Sequence, residues 1–211
     1  MDYTANFGKE KKNDKLLLKI LNILLIATFI VSIGVFGFDS LFFLQQVKGS
    51  SMLPTYAGDG GDIVLVARYY NLNRGDIVII KGESSIIIKR VVAKGGDVIS
   101  LCKKNNSSYC YYKVNGEEID ESYIADYYKY MNVTYLDKFI SLDNVYLSGI
   151  EIQDGVEETT YSLNLNEDEI FALGDNRKDS LDSLTKGPFK TSAILGKVIN
   201  SFRSTRLITS S

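Results

Sequence analysis

A chain of 211 residues without a single histidine can build neither a Ser-His-Asp triad nor a Cys-His pair. A serine nucleophile in it must take its base from a lysine or an N-terminal amine. A lysine serves only when its amine is neutral, and in water its pKa is about 10.4. Burial in an apolar pocket lowers that value by up to about 3 to 5 units, enough for general-base work. Lys89 has the sequence setting for this. In the run SSIIIKRVVA from Ser84 to Ala93, the two-residue period of a strand puts Lys89 on one face with Ile87, Val91 and Ala93, and Arg90 on the other. A strand lysine whose amine snorkels to solvent has the same pattern, so Lys89 alone does not make a site.

Two further segments could complete one. Lys48 to Thr55 (KGSSMLPT) has a glycine that permits a tight turn and a proline that fixes its exit, so it can present the Ser51 hydroxyl, with Met52 beside it as the candidate substrate-binding residue. Gly174 to Ser183 (GDNRKDSLDS) is a Gly- and Asx-rich loop directly after the apolar strand EIFAL. Each of them, taken singly, is also an ordinary turn.

Other chemistries are poorly supplied. With no histidine and two cysteines, neither a metal nor a cofactor is expected. Cys102 and Cys110 flank the polar tip KKNNSS at 103–108 and fit either a disulfide, formed only in an oxidising compartment, or two buried free thiols. The charge is nearly balanced, 24 Lys and Arg against 26 Asp and Glu, and lacks the basic footprint of a nucleic-acid binder.

The elements that must position these residues follow from periodicity. Residues 1–19 form a lysine-bearing tail, and 20–38 (ILNILLIATFIVSIGVFGF) is an uncharged run close to the ~20 apolar residues that span a bilayer. Bulky FDSLFF follows it instead of a small-residue cleavage site, so an uncleaved transmembrane anchor is expected. Lys9, Lys11, Lys12, Lys15 and Lys19 precede the run and the next basic residue is Lys48, which predicts a cytoplasmic N-terminus and an extracytoplasmic globular part, in contact with membrane lipid. Beyond it, short β-branched runs alternate with Gly-Asp turns: DIVLVAR, DIVIIK, SIIIKRVVA and DVISL. The predicted fold is mainly β, an antiparallel catalytic core whose first part covers 39–101 and whose second part covers 169–211. Between them, 102–168 is polar, acidic and tyrosine-rich, with nine of the 14 tyrosines between Tyr109 and Tyr146, and reads as a smaller inserted lobe.

Taken together, Ser51-Met52-x-Pro54-Thr55, Lys89-Arg90 followed by Gly96-Asp97, and Gly174-Asp175-Asn176 with Ser180-x-Asp182-Ser183 resemble, in order, the motifs of bacterial type I signal peptidases. The resemblance covers roughly residues 10–203, the upstream anchor included. It implies a β-rich core, cleavage of signal peptides from exported preproteins after small residues of the Ala-x-Ala type, Ser51 as nucleophile and Lys89 as base. It also implies that Ser180 orients the lysine amine, that Asp182 and Arg90 form a supporting charged pair, and that Gly174 and Asp175 shape the loop. Two positions depart from the pattern: Gly49 replaces a serine that donates to the oxyanion in some members, and Leu184 replaces an arginine. Restoring that arginine is expected to be mild. Members from the endoplasmic reticulum and many archaea use histidine as base, so a chain with none resembles the bacterial ones, at the cell membrane.

Two rival readings share some of these features. A self-cleaving Ser/Lys protease of the SOS-repressor kind has the same dyad logic but lacks an anchor. A membrane-anchored assembly domain with a decayed site would not need Ser51, Lys89, Ser180 and Asp182 together.

Overall fold

The computed structural model describes residues 4–56, 61–124 and 133–203. Residues 1–43 and 44–211 are two separate units. In the first, helix α1 (Thr4–Leu41) contains a 27-residue stretch, 15–41, long and apolar enough to cross a membrane, the single such helix among the described residues. At 1.5 Å per residue this stretch is about 40 Å long, more than a hydrocarbon core needs. Its leucines, isoleucines and phenylalanines are exposed throughout. The helix therefore extends several residues past each end of the 20–38 run.

The strands lie in the second unit, apart from the first two residues of the first strand. They are β1 (Phe42–Gln46), β2 (Asp62–Ala67), β3 (Ile77–Lys81), β4 (Ile86–Lys94), β5 (Val98–Lys104), β6 (Cys110–Val114), β7 (Glu117–Glu118), β8 (Tyr146–Gln153), β9 (Val156–Asn164), β10 (Glu169–Leu173), β11 (Phe189–Lys190) and β12 (Ile194–Arg203). Two short helices, α2 (Val133–Ile140) and α3 (Ser183–Lys186), join them. A seven-stranded sheet has the order β1-β2-β12-β3-β4-β10-β11, and a five-stranded sheet the order β7-β6-β5-β9-β8. The ladders from β2 onward are antiparallel.

The first sheet is assembled from both sides of the segment that carries the second, since β10 returns to pair with β4 and β12 with β2 and β3. The last four residues of the run DVISL, expected to close the first part of the core, begin β5, in the second sheet. The lobe is not separate in its packing. One core cluster takes Val92, Ala93, Phe171 and Leu173 from the first sheet, Ile99, Leu101, Tyr112 and Leu163 from the second, and Phe139 from α2. The rings of Tyr112, Phe139 and Phe171 meet with centroids 6.0–6.3 Å apart, tilted or edge to face, the arrangement their quadrupoles favour.

Asp97 ties the two sheets at the β4–β5 turn. Its carboxylate accepts from Arg74 Nε (2.9 Å) and Nη2 (2.5 Å), from the Lys94 N–H (2.9 Å) and from Asn115 Nδ2 (3.1 Å). Burial pushes its pKa up, but these four donors together hold it below the ordinary value.

The cysteines are buried free thiols, not a disulfide. Strand parity explains it. Cys102 stands opposite Tyr111 and Cys110 opposite Lys103, so the two side chains leave opposite faces of the sheet. Cys110 packs in the shared core, while Cys102 accepts from Thr160 Oγ1 at 3.5 Å on the other face.

Candidate active site

β4 carries Lys89 into the interior. Its side of the sheet is apolar, as Val78 lies opposite it and Ile87 and Val91 flank it, both in a cluster with Ile80, Ile170 and Ala172. Ala93, expected on this face, packs instead in the core shared by the two sheets; the β10–β4 register shifts between Phe171 and Ala172, where β4 passes from one cluster to the other. Lys89 is 3% exposed. Burial lowers its pKa, against the pull of the Asp182, Asp175 and Asp179 carboxylates.

The turn before β2 brings up the serine. Gly49 has φ +80°, a conformation costly for any residue with a Cβ, and after it Ser51 turns its hydroxyl to 2.7 Å from Lys89 Nζ. Met52, the expected substrate contact, is 1% exposed and is not among the residues that wall the cleft. That cleft, about 350 Å³, opens at Ser51 and Lys89 and is walled by Gln45, Val47, Gly49, Ile79, Ser85 and Ile86 to Ile88.

The loop after β10 clamps the turn from the other side. Asn176 donates its backbone N–H to the Ser51 carbonyl (3.0 Å) and its Nδ2 to the Ser50 carbonyl (3.1 Å), and Ser50 Oγ donates to Asp179. Gly174 is at the tightest point. A Cβ there would lie 2.3 Å from Ser180 Oγ and 2.5 Å from the Ser51 carbonyl oxygen, so a larger residue cannot fit.

The expected Arg90–Asp182 pair does not form. Arg90 grips Asp175 instead, Nε to Oδ1 at 2.9 Å and Nη2 to Oδ2 at 2.6 Å, with both side chains largely buried (11% and 0% exposed). Thr55 Oγ1 also donates to Asp175, and Arg90 Nη1 to the Gly75 carbonyl. Asp182 has other duties. It caps α3 by accepting from the Leu184 N–H (3.1 Å) and accepts from the Gly174 N–H (2.9 Å). A carboxylate with two backbone donors needs no guanidinium, which is why Leu184 can be apolar. Leu184 is 5% exposed in the shared core, so an arginine at that position would meet apolar side chains and not a waiting anion. Ser180 Oγ is buried and has no hydrogen-bond partner among the described residues, the lysine amine included.

Thr55 and Asn176 stand in the motifs without a role that their residue types disclose, and Arg177, Glu121 and Tyr123 carry no sequence signal of the site. Arg177 is 4% exposed, with Nε donating to the Gly174 carbonyl (3.0 Å) and Nη2 2.5 Å from Glu121. An arginine amid Gly, Asx and Lys reads as solvated, and its burial, its Glu121 partner and its bond back to Gly174 show otherwise.

A family model described as signal peptidase, peptidase S26, matches residues 17–202. The chain belongs to that family. A signal peptidase I of Streptococcus pneumoniae is 31% identical over 185 residues, 80% of this chain and 87% of the relative. One of Bacillus caldolyticus is 32% identical over 157 residues, 72% and 74% of the two chains. A crystal structure of a signal peptidase I from Enterococcus faecalis aligns at 20% identity over 62% of this chain and 98% of that one, with a TM-score of 0.40. This S26 family member is therefore a peptidase, and a serine hydrolase.

Proposed function

We propose that this peptidase is a membrane-anchored endopeptidase that removes signal peptides from exported preproteins, cleaving after small residues, with Ser51 as nucleophile and Lys89 as general base. The observation that carries this is a lysine, 3% exposed, whose amine lies 2.7 Å from a serine hydroxyl at the wall of an open cleft. With the amine neutral, the Ser51 hydroxyl donates to Nζ. Oγ attacks the scissile carbonyl carbon while Nζ takes the proton. The tetrahedral intermediate collapses as Lys89 gives that proton to the leaving amine. Water, deprotonated by the same amine, then releases the acyl group from Ser51. The Ser51 N–H is the proposed oxyanion donor, a contact worth roughly 3 to 4 kcal/mol where such donors have been removed.

The geometry of β4 supports an extended substrate. β10 pairs with β4 from Arg90 to Lys94, while among the described residues Ile86 to Lys89 pair only with β3, which leaves one edge of that stretch available beside Ser51. A peptide added to that edge as a strand would place alternate side chains against Val47, Ile79 and Ile88, a confined apolar surface suited to small residues. Ser180, Asp182, Arg90, Gly174 and Asp175 serve as supports of the dyad. The apolar helix α1 supports anchoring, and the lysines before it support a cytoplasmic N-terminus with the β unit outside.

The test is cleavage of a preprotein by the purified full-length protein in detergent or vesicles, with the new N-terminus sequenced. The reading predicts one cut after a small residue and none with Ser51→Ala or Lys89→Ala. An intact precursor with the unaltered protein would favour a non-catalytic assembly role.

A further inference from the structure

Tyr123 touches both buried guanidiniums of the site. Its ring face lies 4.0 Å from Arg90 Cζ, and its hydroxyl accepts from Arg177 Nη2 at 3.4 Å. Glu121, two residues before it, pairs with Arg177 at 2.5 Å. These two arginines hold successive residues of the catalytic loop: Arg177 Nε binds the Gly174 carbonyl, and Arg90 binds the Asp175 carboxylate. Both acidic and aromatic partners come from the segment that follows β7, outside every motif of the site.

We propose that Glu121 and Tyr123 are positioning residues through which the inserted lobe sets the Gly174–Asp175 corner against Ser51 and Lys89. The proposal rests on the dyad reading above. A buried guanidinium must keep a carboxylate partner, so Glu121 dictates where Arg177 rests, and through Nε where the Gly174 carbonyl rests. Gly174 has no slack. Ser180 Oγ and the Ser51 carbonyl already crowd the space where a Cβ would be, so displacement of this corner moves the nucleophile's turn. Tyr123 acts on the other residue of the corner. Its ring is the platform over which the Arg90 guanidinium sits while it neutralises Asp175.

The charged groups acting on Lys89 are Asp182, Asp175 and Asp179, all from the loop after β10, and each favours the protonated amine. Arg90 offsets one of them. An Arg90 that has lost its platform offsets less, so Lys89 should hold its proton to higher pH. A merely structural cluster would lower the melting temperature and leave this ionisation where it was.

The experiment follows Lys89 by NMR in full-length protein labelled with carbon-13 at lysine Cε, beside kcat and KM for a signal-peptide substrate. In Tyr123→Leu the Lys89 midpoint is expected to rise by roughly half a unit or more, with kcat down about tenfold or more and KM within about twofold. Tyr123→Phe, which keeps the ring face, should return the midpoint to that of the unaltered protein. A Tyr123→Leu protein with unchanged midpoint and kcat, however low its melting temperature, overturns the proposal. Should that variant not fold, Glu121→Gln carries the test by its size-matched loss of charge: about tenfold lower kcat at constant KM supports the proposal, and constant kcat overturns it. Failure of the unaltered protein to cut any signal peptide would overturn the functional reading instead, and the NMR comparison would still decide the role of Tyr123.

Discussion

At the scale of residues, the absence of histidine narrows the chemistry to a serine with an amine base, and Lys89 then stands out by its apolar strand. What the residues could not disclose is which carboxylate meets Arg90. Asp175 and Asp182 lie in one loop, and only the fold turns the first toward Arg90 and spends the second on backbone N–H groups. Arg90→Met therefore strands a fully buried Asp175, and should cost about 3 to 5 kcal/mol in chemical denaturation, with loss of cleavage. Gly174→Ala should abolish cleavage outright, because its methyl would fall 2.5 Å from the Ser51 carbonyl oxygen. Leu184→Arg, mild on the family pattern, is now expected to lower stability by several kcal/mol, since it drives a charge into the shared core. A thermal melt of each variant measures these changes. Burial of Lys89 has its own signature. Its folded pKa lies below the ordinary 10.5, so the folded state is penalised wherever the amine is charged, and the penalty fades as pH rises from the folded value toward 10.5. Lys89→Met should raise the denaturation midpoint at pH below the folded pKa and converge with the unaltered protein above about 10.5.

At the scale of elements, the strand runs and Gly-Asp turns were legible because β-branched residues and turn residues alternate sharply along 62–101. The pairing order was not. DVISL reads as one more core strand, yet it opens the second sheet, and nothing local in its five residues distinguishes the two outcomes. The same holds for the cysteines, whose face depends on a register that an eight-residue separation does not fix. Asp97 at that crossing point offers a measurable check. Its folded pKa is depressed, so it contributes stability at pH above the unfolded value of about 3.9, lost as pH falls through the lower folded value. Asp97→Asn should reduce stability at neutral pH by about 1 to 2 kcal/mol, modest because the Arg74 partner is 41% exposed and screened. The difference from the unaltered protein should shrink in acid, as urea titrations across pH would show.

At the scale of the whole molecule, a long apolar helix and a β unit were both foreseeable, whereas the fusion of the lobe into one core was not. The polar, tyrosine-rich composition of 102–168 concealed Tyr112, a ring 1% exposed at the centre of that core. The lobe is thus part of what holds the catalytic sheet, and Glu121 and Tyr123 reach the loop from it. The central claim is that a buried lysine activates Ser51 for attack on a preprotein. The most direct measurement is the single-turnover rate of acyl transfer to Ser51, followed by mass spectrometry of the trapped enzyme from low to high pH. The account predicts an acyl group on Ser51, an acid limb with an apparent pKa well below about 10.4, and no acylation by Lys89→Arg, whose guanidinium stays charged. Acylation that persists in Lys89→Arg, or a rate still climbing steeply above about pH 10, would contradict it.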